Sequence, residues 1–98
     1  MKLTAKDFDD VDVTTAVEIY LNTLATVPFP TRFTNEDVVS FTIHLLGLPE
    51  PASQVAFCAM YGAMWHFAMA LDTGKTAAEA REYAMRMWRP WAQREWAA

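Results

Sequence analysis

The sequence predicts an all-α fold, a small bundle of three to four helices arranged around a central helix at about residues 52–72. Residues 52–71 contain no charged side chain, and a helix that is apolar on every side has to be surrounded by other structure. Residues that start and stop helices recur through the second half of the chain. With 98 residues, the chain has the length of one domain, so we predict a single helical domain over 1–98.

Residues 1–33 allow two interpretations. The β-branched residues of 10–22 alternate as in a strand, but apolar residues also recur at helical spacing, with Asp12 available as an N-cap. A single strand would have no partner elsewhere in the chain, so helix is favoured. Thr4 and Asp7, with Leu3 and Phe8, predict a short turn of helix before it. The helical set is Val13, Val17, Tyr20, Leu24 and Val27.

The next segment is predicted to be a connector followed by a helix. Pro28 and Pro30 push their preceding residues out of the α region, so residues 27–33 should be extended. Thr34, followed by two acidic residues, is a suitable N-cap. The helix should end at Gly47, with Leu48 completing a Schellman ending.

Two further helices are predicted to form a C-terminal αα-hairpin. Pro51 suits the first turn of the central helix, and Gly74 suits its end. Thr76 and Glu79 form the pattern of a capping box for the last helix. Because the turn at 73–76 is short, the two helices should be antiparallel.

The last helix is predicted to cover the central one with an apolar face. Pro90 should interrupt this helix, because proline removes a backbone donor, and leave 90–98 as a kinked tail. The apolar face comprises Ala77, Ala80, Tyr83, Ala84, Met87, Trp88 and Trp91.

Small residues form a stripe along the central helix. They would let another helix approach closely, so the stripe could seat either the N-terminal helix or a second copy of the chain. The second possibility predicts a homodimer seam. The alternative is that the small side and the bulky side opposite it are both ordinary core. The stripe is Ala52, Ala56, Ala59, Ala63 and Ala70.

Tryptophan and arginine cluster near the C-terminus. These residue types dominate interface hot spots, and they also stack on single-stranded bases. The alternative is structural, with the tryptophans closing a small core beneath the arginine side chains. The candidate interaction residues are Arg86, Trp88, Arg89, Trp91, Arg94 and Trp96.

The charge distribution argues against binding to duplex nucleic acid. The net charge is −4, whereas non-specific affinity for phosphate comes from many Lys and Arg contacts. Residues 1–50 hold eight acidic and three basic side chains, and residues 51–98 hold four and five. The acidic first half also permits an inhibitor that mimics nucleic acid.

The sequence lacks the patterns of a catalytic, metal or cofactor site. Asp37, Ser40 and His44 share a helical face, but the histidine does not stand between the other two as in a hydrolytic triad. With two histidines and one cysteine, no metal-binding spacing occurs. We therefore predict a protein that is not an enzyme and binds no metal or cofactor.

A membrane location is not favoured. The apolar run consists mainly of Ala, Met and aromatic residues between Glu50 and Asp72, without basic anchors. The single cysteine, Cys58, cannot form an internal disulfide, and the N-terminus lacks a secretory pattern, so a cytoplasmic location is expected.

Together these features predict a protein that acts by binding another protein, as a homodimeric regulator or inhibitor. Small acidic chains without motifs are typical of proteins encoded by phages and plasmids. An alternative is a helical domain that binds a small molecule in a pocket lined by Met60, Met64, Trp65 and His66.

Overall fold

The computed structural model describes residues 3–26, 42–44 and 46–97 and shows a small all-α bundle. A 3₁₀ helix spans Ala5–Asp9, followed by α1 at Val11–Thr26, α2 at Ala52–Asp72 and α3 at Ala77–Glu95. Residues 42–44 and 46 are also helical, and the described residues include no strand. The all-α prediction is confirmed.

The N-terminal helix is present, but its cap differs from the prediction. Asp10 is extended, and its carboxylate accepts a hydrogen bond from the Asp12 backbone N–H at 2.7 Å. Its carbonyl accepts the first helical bond, from Thr14 N at 3.1 Å. Asp10 therefore caps α1, and the expected cap Asp12 lies inside the first turn, where an acidic side chain is still favourable.

The turn predicted before α1 is the 3₁₀ helix. The Thr4 backbone N–H donates to Asp7 Oδ2 at 2.8 Å, as in a capping box. Phe8 is fully buried and joins this turn to the core.

Two glycines end helices as the sequence predicts. Gly47 has a φ of +60°, and Leu48 N donates to Ile43 O at 3.4 Å. Gly74 has a φ of +92°, and Lys75 N donates to the carbonyl five residues earlier at 3.2 Å. Both bonds are those of a Schellman motif. The predicted start of the first of these helices at Thr34 and the connector at 27–33 lie outside the described residues.

The C-terminal hairpin is confirmed. Thr76 Oγ1 accepts from Glu79 N at 3.1 Å, and the Glu79 carboxylate accepts from Thr76 N at 3.0 Å. These reciprocal bonds are the predicted capping box. They hold the start of α3 immediately after the end of α2, so the two helices pack side by side.

The prediction of an interruption at Pro90 is wrong. Helix α3 continues through Pro90 to Glu95. Trp88 and Ala92, on either side of the proline, are buried in the core, whereas Pro90 is exposed. The packing of these neighbours compensates for the one backbone donor that proline lacks.

The core lies between the 3₁₀ helix and the three α-helices. It includes Phe8 and residues from one face of each α-helix. Tyr20 is fully buried, and burial raises the pKa of its phenol. From the α-helices the core takes Val13, Ala16, Val17, Tyr20, Leu21, Val55, Ala56, Ala59, Met60, Ala63, Phe67, Ala70, Ala80, Ala84, Trp88 and Ala92.

Candidate protein-interaction surface

One face of α2 presents a row of large apolar side chains to the solvent. The side chains recur every four residues, so they lie on one side of the helix. Phe57 is 49% exposed, Tyr61 53%, Trp65 54% and Met69 45%. We call these four residues the α2 ridge. The expectation that α2 is surrounded on every side is therefore wrong for the part of the chain that the structure describes.

The α2 ridge has the size and chemistry of an interaction surface. A fully enclosed aromatic side chain buries about 150–250 Å², so the three half-exposed aromatic residues alone offer roughly 300 Å². Contiguous apolar patches of this size on small proteins are often functional. The ridge is also free of charge, because no charged residue occurs between Glu50 and Asp72.

The opposite face of α2 is built from small residues and is occupied by the chain itself. Ala56, Ala59 and Ala63 are fully buried and Ala70 is 3% exposed, while Ala52 is half-buried. Both α1 and α3 pack against α2. The alanine stripe proposed as a dimer seam thus seats helices of the same chain and leaves no room there for a second copy.

Gly62 shows how closely α3 approaches this small face. A Cβ atom at Gly62 would overlap the six-membered ring of Trp91. The absence of a side chain at this position therefore lets a large aromatic ring lie directly on the backbone of α2.

The tryptophans of the C-terminal cluster mostly belong to the core. Trp88 is 1% exposed, and Trp91 and Trp96 are half-buried. The Trp96 ring lies 5.1 Å from the Phe8 ring and 5.9 Å from the Trp91 ring, between centroids. This end of α3 closes the core over the 3₁₀ helix.

The arginines of the same cluster have different surroundings. Arg89 Nε donates to Phe8 O at 3.1 Å, its Nη2 donates to Thr14 Oγ1, and its guanidinium lies 4.7 Å from the centre of the Trp88 ring. Arg86 and Arg94 are exposed. The six candidate interaction residues therefore do not form one surface.

The residues proposed to line a small-molecule pocket point in different directions. Met60 and His66 are buried, Met64 is half-buried, and Trp65 belongs to the exposed α2 ridge. His66 Nδ1 lies 2.7 Å from Gly62 O. Since a carbonyl can only accept, Nδ1 carries the proton in this contact, as is typical of a histidine held within a core.

The polar candidates that the structure describes include a cysteine and a histidine. Cys58 is half-buried beside the α2 ridge, and burial raises the pKa of its thiol, which favours the less reactive protonated form. Among the described residues, no group of three or more His, Cys, Asp or Glu side chains is placed to hold a metal ion. His44 is exposed, whereas Asp37 and Ser40 lie outside the described residues.

Several of the acidic residues of the first half already have structural roles. Asp7 and Asp10 accept backbone hydrogen bonds at the starts of helices. Asp9 Oδ1 accepts from Gln93 Nε2 at 2.9 Å and lies 4.0 Å from Arg89 Nε. These contacts reduce the number of free carboxylates that could imitate a phosphate backbone.

The sequence predicts core on both faces of α2, including the α2 ridge, because both faces are apolar. The separating signal was side-chain size rather than polarity. Small residues on one face allow two neighbouring helices to approach closely, which leaves the bulky face outside. That signal was present in the alanine stripe, but it was assigned to a second copy as readily as to the chain's own helices.

Comparisons with known proteins identify no relative of this chain. No protein family, curated protein or solved structure matches the chain. Among the described residues, no helix combines the length and hydropathy needed to cross a bilayer.

Proposed function

We propose that this chain is a non-enzymatic protein-interaction protein, a small regulator or inhibitor that binds another protein through the α2 ridge. The supporting observation is the half-exposure of four large apolar side chains in one uninterrupted row. Leaving such a row in water is unfavourable, at about 25 cal/mol for each Å² of apolar surface. A partner that covers it recovers this free energy.

The chemistry of the ridge favours a helical or apolar protein surface as the partner. Tyr and Trp are enriched at the centres of interfaces, and methionine adapts its shape to a contacting surface. An amphipathic helix laid along the ridge would place its own apolar residues at matching spacings of three and four. Because Cys58 is a lone thiol, we place this activity in a reducing cytoplasm.

The test is affinity capture from the source cell with the purified chain as bait, followed by binding measurements with each purified candidate partner. Trp65→Ala should weaken binding by at least about thirtyfold, since loss of a central aromatic anchor costs roughly 2 kcal/mol or more. Capture and affinity that do not change with Trp65→Ala would contradict the proposal.

A matched control separates this surface from the C-terminal cluster. The double variant Arg86→Ala and Arg94→Ala removes two exposed arginines of α3 and should leave binding unchanged. If this variant loses binding while Trp65→Ala keeps it, the binding surface lies at the arginines and not at the α2 ridge.

A further inference from the structure

We infer that a second copy of this chain occupies the α2 ridge, with the two α2 helices antiparallel across a two-fold axis. This inference rests on the proposed function, because both use the same surface. It names a second copy of the chain as the protein that covers the ridge when the partner of the proposed function is not bound.

The four ridge residues are arranged symmetrically about residue 63, so the ridge can pair with an antiparallel copy of itself. Tyr61 and Trp65 lie two residues on either side of position 63, and Phe57 and Met69 lie six residues on either side. When two copies meet antiparallel about this midpoint, Tyr61 faces Trp65 of the partner subunit and Phe57 faces Met69 of the partner subunit. Each large ring then meets a ring, and each end pairs a ring with an adaptable thioether.

The geometry of helix packing allows this contact. When two helices cross at about 20°, they stay close along their length, and rows of residues spaced by three on one helix pack against rows spaced by four on the other. The four ridge residues form one row spaced by four. An antiparallel two-fold pair is also isologous, so the same surface is used on both copies and the assembly closes as a dimer.

Charges at the helix ends favour the antiparallel over the parallel arrangement. Glu50 precedes α2, Asp72 ends it and Lys75 follows, and all three are exposed. A parallel pair would bring the two Glu50 side chains together and the two Asp72 side chains together, so like charges would face each other at both ends. The antiparallel pair instead brings Glu50 towards Lys75 of the partner subunit and opposes the two helix dipoles.

The area predicts a reversible dimer. The ridges and their flanking side chains would together bury about 1,000 Å² over both copies, which is the low end for specific interfaces and typical of transient ones. Dimerisation should therefore depend on concentration and appear in the micromolar range.

Disulfide trapping tests both the occupant and its direction. In a Cys58→Ser background, Phe57→Cys and Met69→Cys are prepared separately and mixed under mild oxidation. The two positions are 12 residues apart on α2, or about 18 Å. In the antiparallel dimer a thiol at position 57 therefore lies too far from position 57 of the partner subunit to form a disulfide, and the same holds for position 69. We expect a disulfide-linked dimer in the mixture and its loss when either variant is oxidised alone.

Two controls accompany the trapping. Glu18→Cys in the same background places a thiol at an exposed position of α1 and measures random collision. Sedimentation of the Cys58→Ser parent needs no ridge substitution, so it reports dimerisation even if a variant packs poorly. A monomer–dimer equilibrium in the parent that shifts to monomer with Trp65→Glu is the expected result.

The other outcomes overturn the inference in distinguishable ways. Cross-linking of Phe57→Cys with itself would show a parallel pair. A parent that stays monomeric, while protein capture still depends on Trp65, would mean that only a different protein occupies the ridge, so the proposed function would survive. A monomer in which the thiol of Phe57→Cys reacts with a thiol reagent much more slowly than that of Glu18→Cys would show that the ridge is covered within the single chain, which would contradict both proposals.

Discussion

Gly62 allows a close contact between α2 and α3. It is buried in α2 beneath the ring of Trp91, and both residues also lie beside His66, whose ring is 6.2 Å from that of Trp91. A glycine inside a helix costs about 1 kcal/mol relative to alanine, and here that cost is offset by close packing. Nothing in the sequence around Gly62 indicates that residue 91 will be its neighbour.

Replacing Gly62 with alanine should therefore destabilise the fold despite the better helix propensity of alanine. The new Cβ would displace the Trp91 ring, and overpacking of this kind costs about 1–3 kcal/mol. Urea unfolding of Gly62→Ala measures the loss. Adding Trp91→Leu to Gly62→Ala should recover part of the lost stability, because the smaller side chain makes room for the new Cβ. Gln54→Ala, on the exposed face of α2, is the control for the effect of alanine on helix propensity. A gain of about 1 kcal/mol in Gly62→Ala, as helix propensity alone predicts, would show that the ring moves aside without cost.

At the scale of single elements, the helix ends were the most predictable part of the structure. The capping box at Thr76 and the glycine endings at 47 and 74 depend on bonds between residues three to five positions apart, so the local sequence contains all the required information. The cap of α1 was misplaced by two residues because Asp10 and Asp12 both suit the position. Only the preceding 3₁₀ helix, which ends at Asp9, selects Asp10.

Thr76→Ala should lower the free energy of unfolding by about 1 kcal/mol, because the Glu79 backbone donor loses its acceptor. Thr15→Ala on α1 is the matched control. The Thr15 hydroxyl bonds back to Val11 O at 3.0 Å within its own helix, and alanine there should be neutral or slightly stabilising. A loss of similar size in both variants would show that the cap contributes nothing specific.

The same cap predicts a dependence on pH. Hydrogen bonds from Thr76 lower the pKa of Glu79 below the ordinary glutamate range. The group then adds stability above its unfolded pKa, and this contribution disappears as the pH falls through the folded pKa. Urea unfolding between neutral and acidic pH should show a smaller acid-side loss in Glu79→Gln, which has no titrating group at this position, than in the wild type. Parallel curves for the two proteins would contradict this assignment.

Arg89 joins three elements, which the sequence could not indicate. From α3 it binds the Phe8 carbonyl and the Thr14 hydroxyl, which belong to the 3₁₀ helix and α1. Arg89→Gln should remove about 1–3 kcal/mol of stability, as expected for lost hydrogen bonds from a charged group, and should speed hydrogen exchange in residues 5–10. Arg86→Gln, at an exposed position of the same helix, should change neither. Equal effects of the two variants would mean that Arg89 acts only through its charge.

At the scale of the whole molecule, the helices could be predicted but the outward face of α2 could not. Helical periodicity and end signals located α2 and α3, and the lack of a strand partner correctly favoured α1. The orientation of α2 depends on which of two apolar faces other helices cover, and hydrophobicity does not distinguish between them. For residues 86–96 the residue types were also not decisive, because Trp and Arg are suited both to an interface and to the edge of a core.

Two tryptophan variants separate the core from the α2 ridge. Trp88 is 1% exposed and Trp65 is 54% exposed. Trp88→Ala should therefore leave a cavity and cost about 3–5 kcal/mol, as is typical of a buried tryptophan, which is a large part of the stability of a domain this size. Trp65→Ala removes a side chain that makes few enclosed contacts, so it should cost less than about 1 kcal/mol.

The comparison requires urea unfolding at a protein concentration below the micromolar range, because a dimer that buries the α2 ridge would otherwise add stability to the wild type. Under these conditions the two variants should differ by several kcal/mol. When the concentration is raised, the wild type should become more stable while Trp65→Ala does not, since only the wild type retains the full ridge. A large loss for Trp65→Ala at the lowest concentration would instead show that its side chain is enclosed within the single chain, and the α2 ridge would then not be a binding surface.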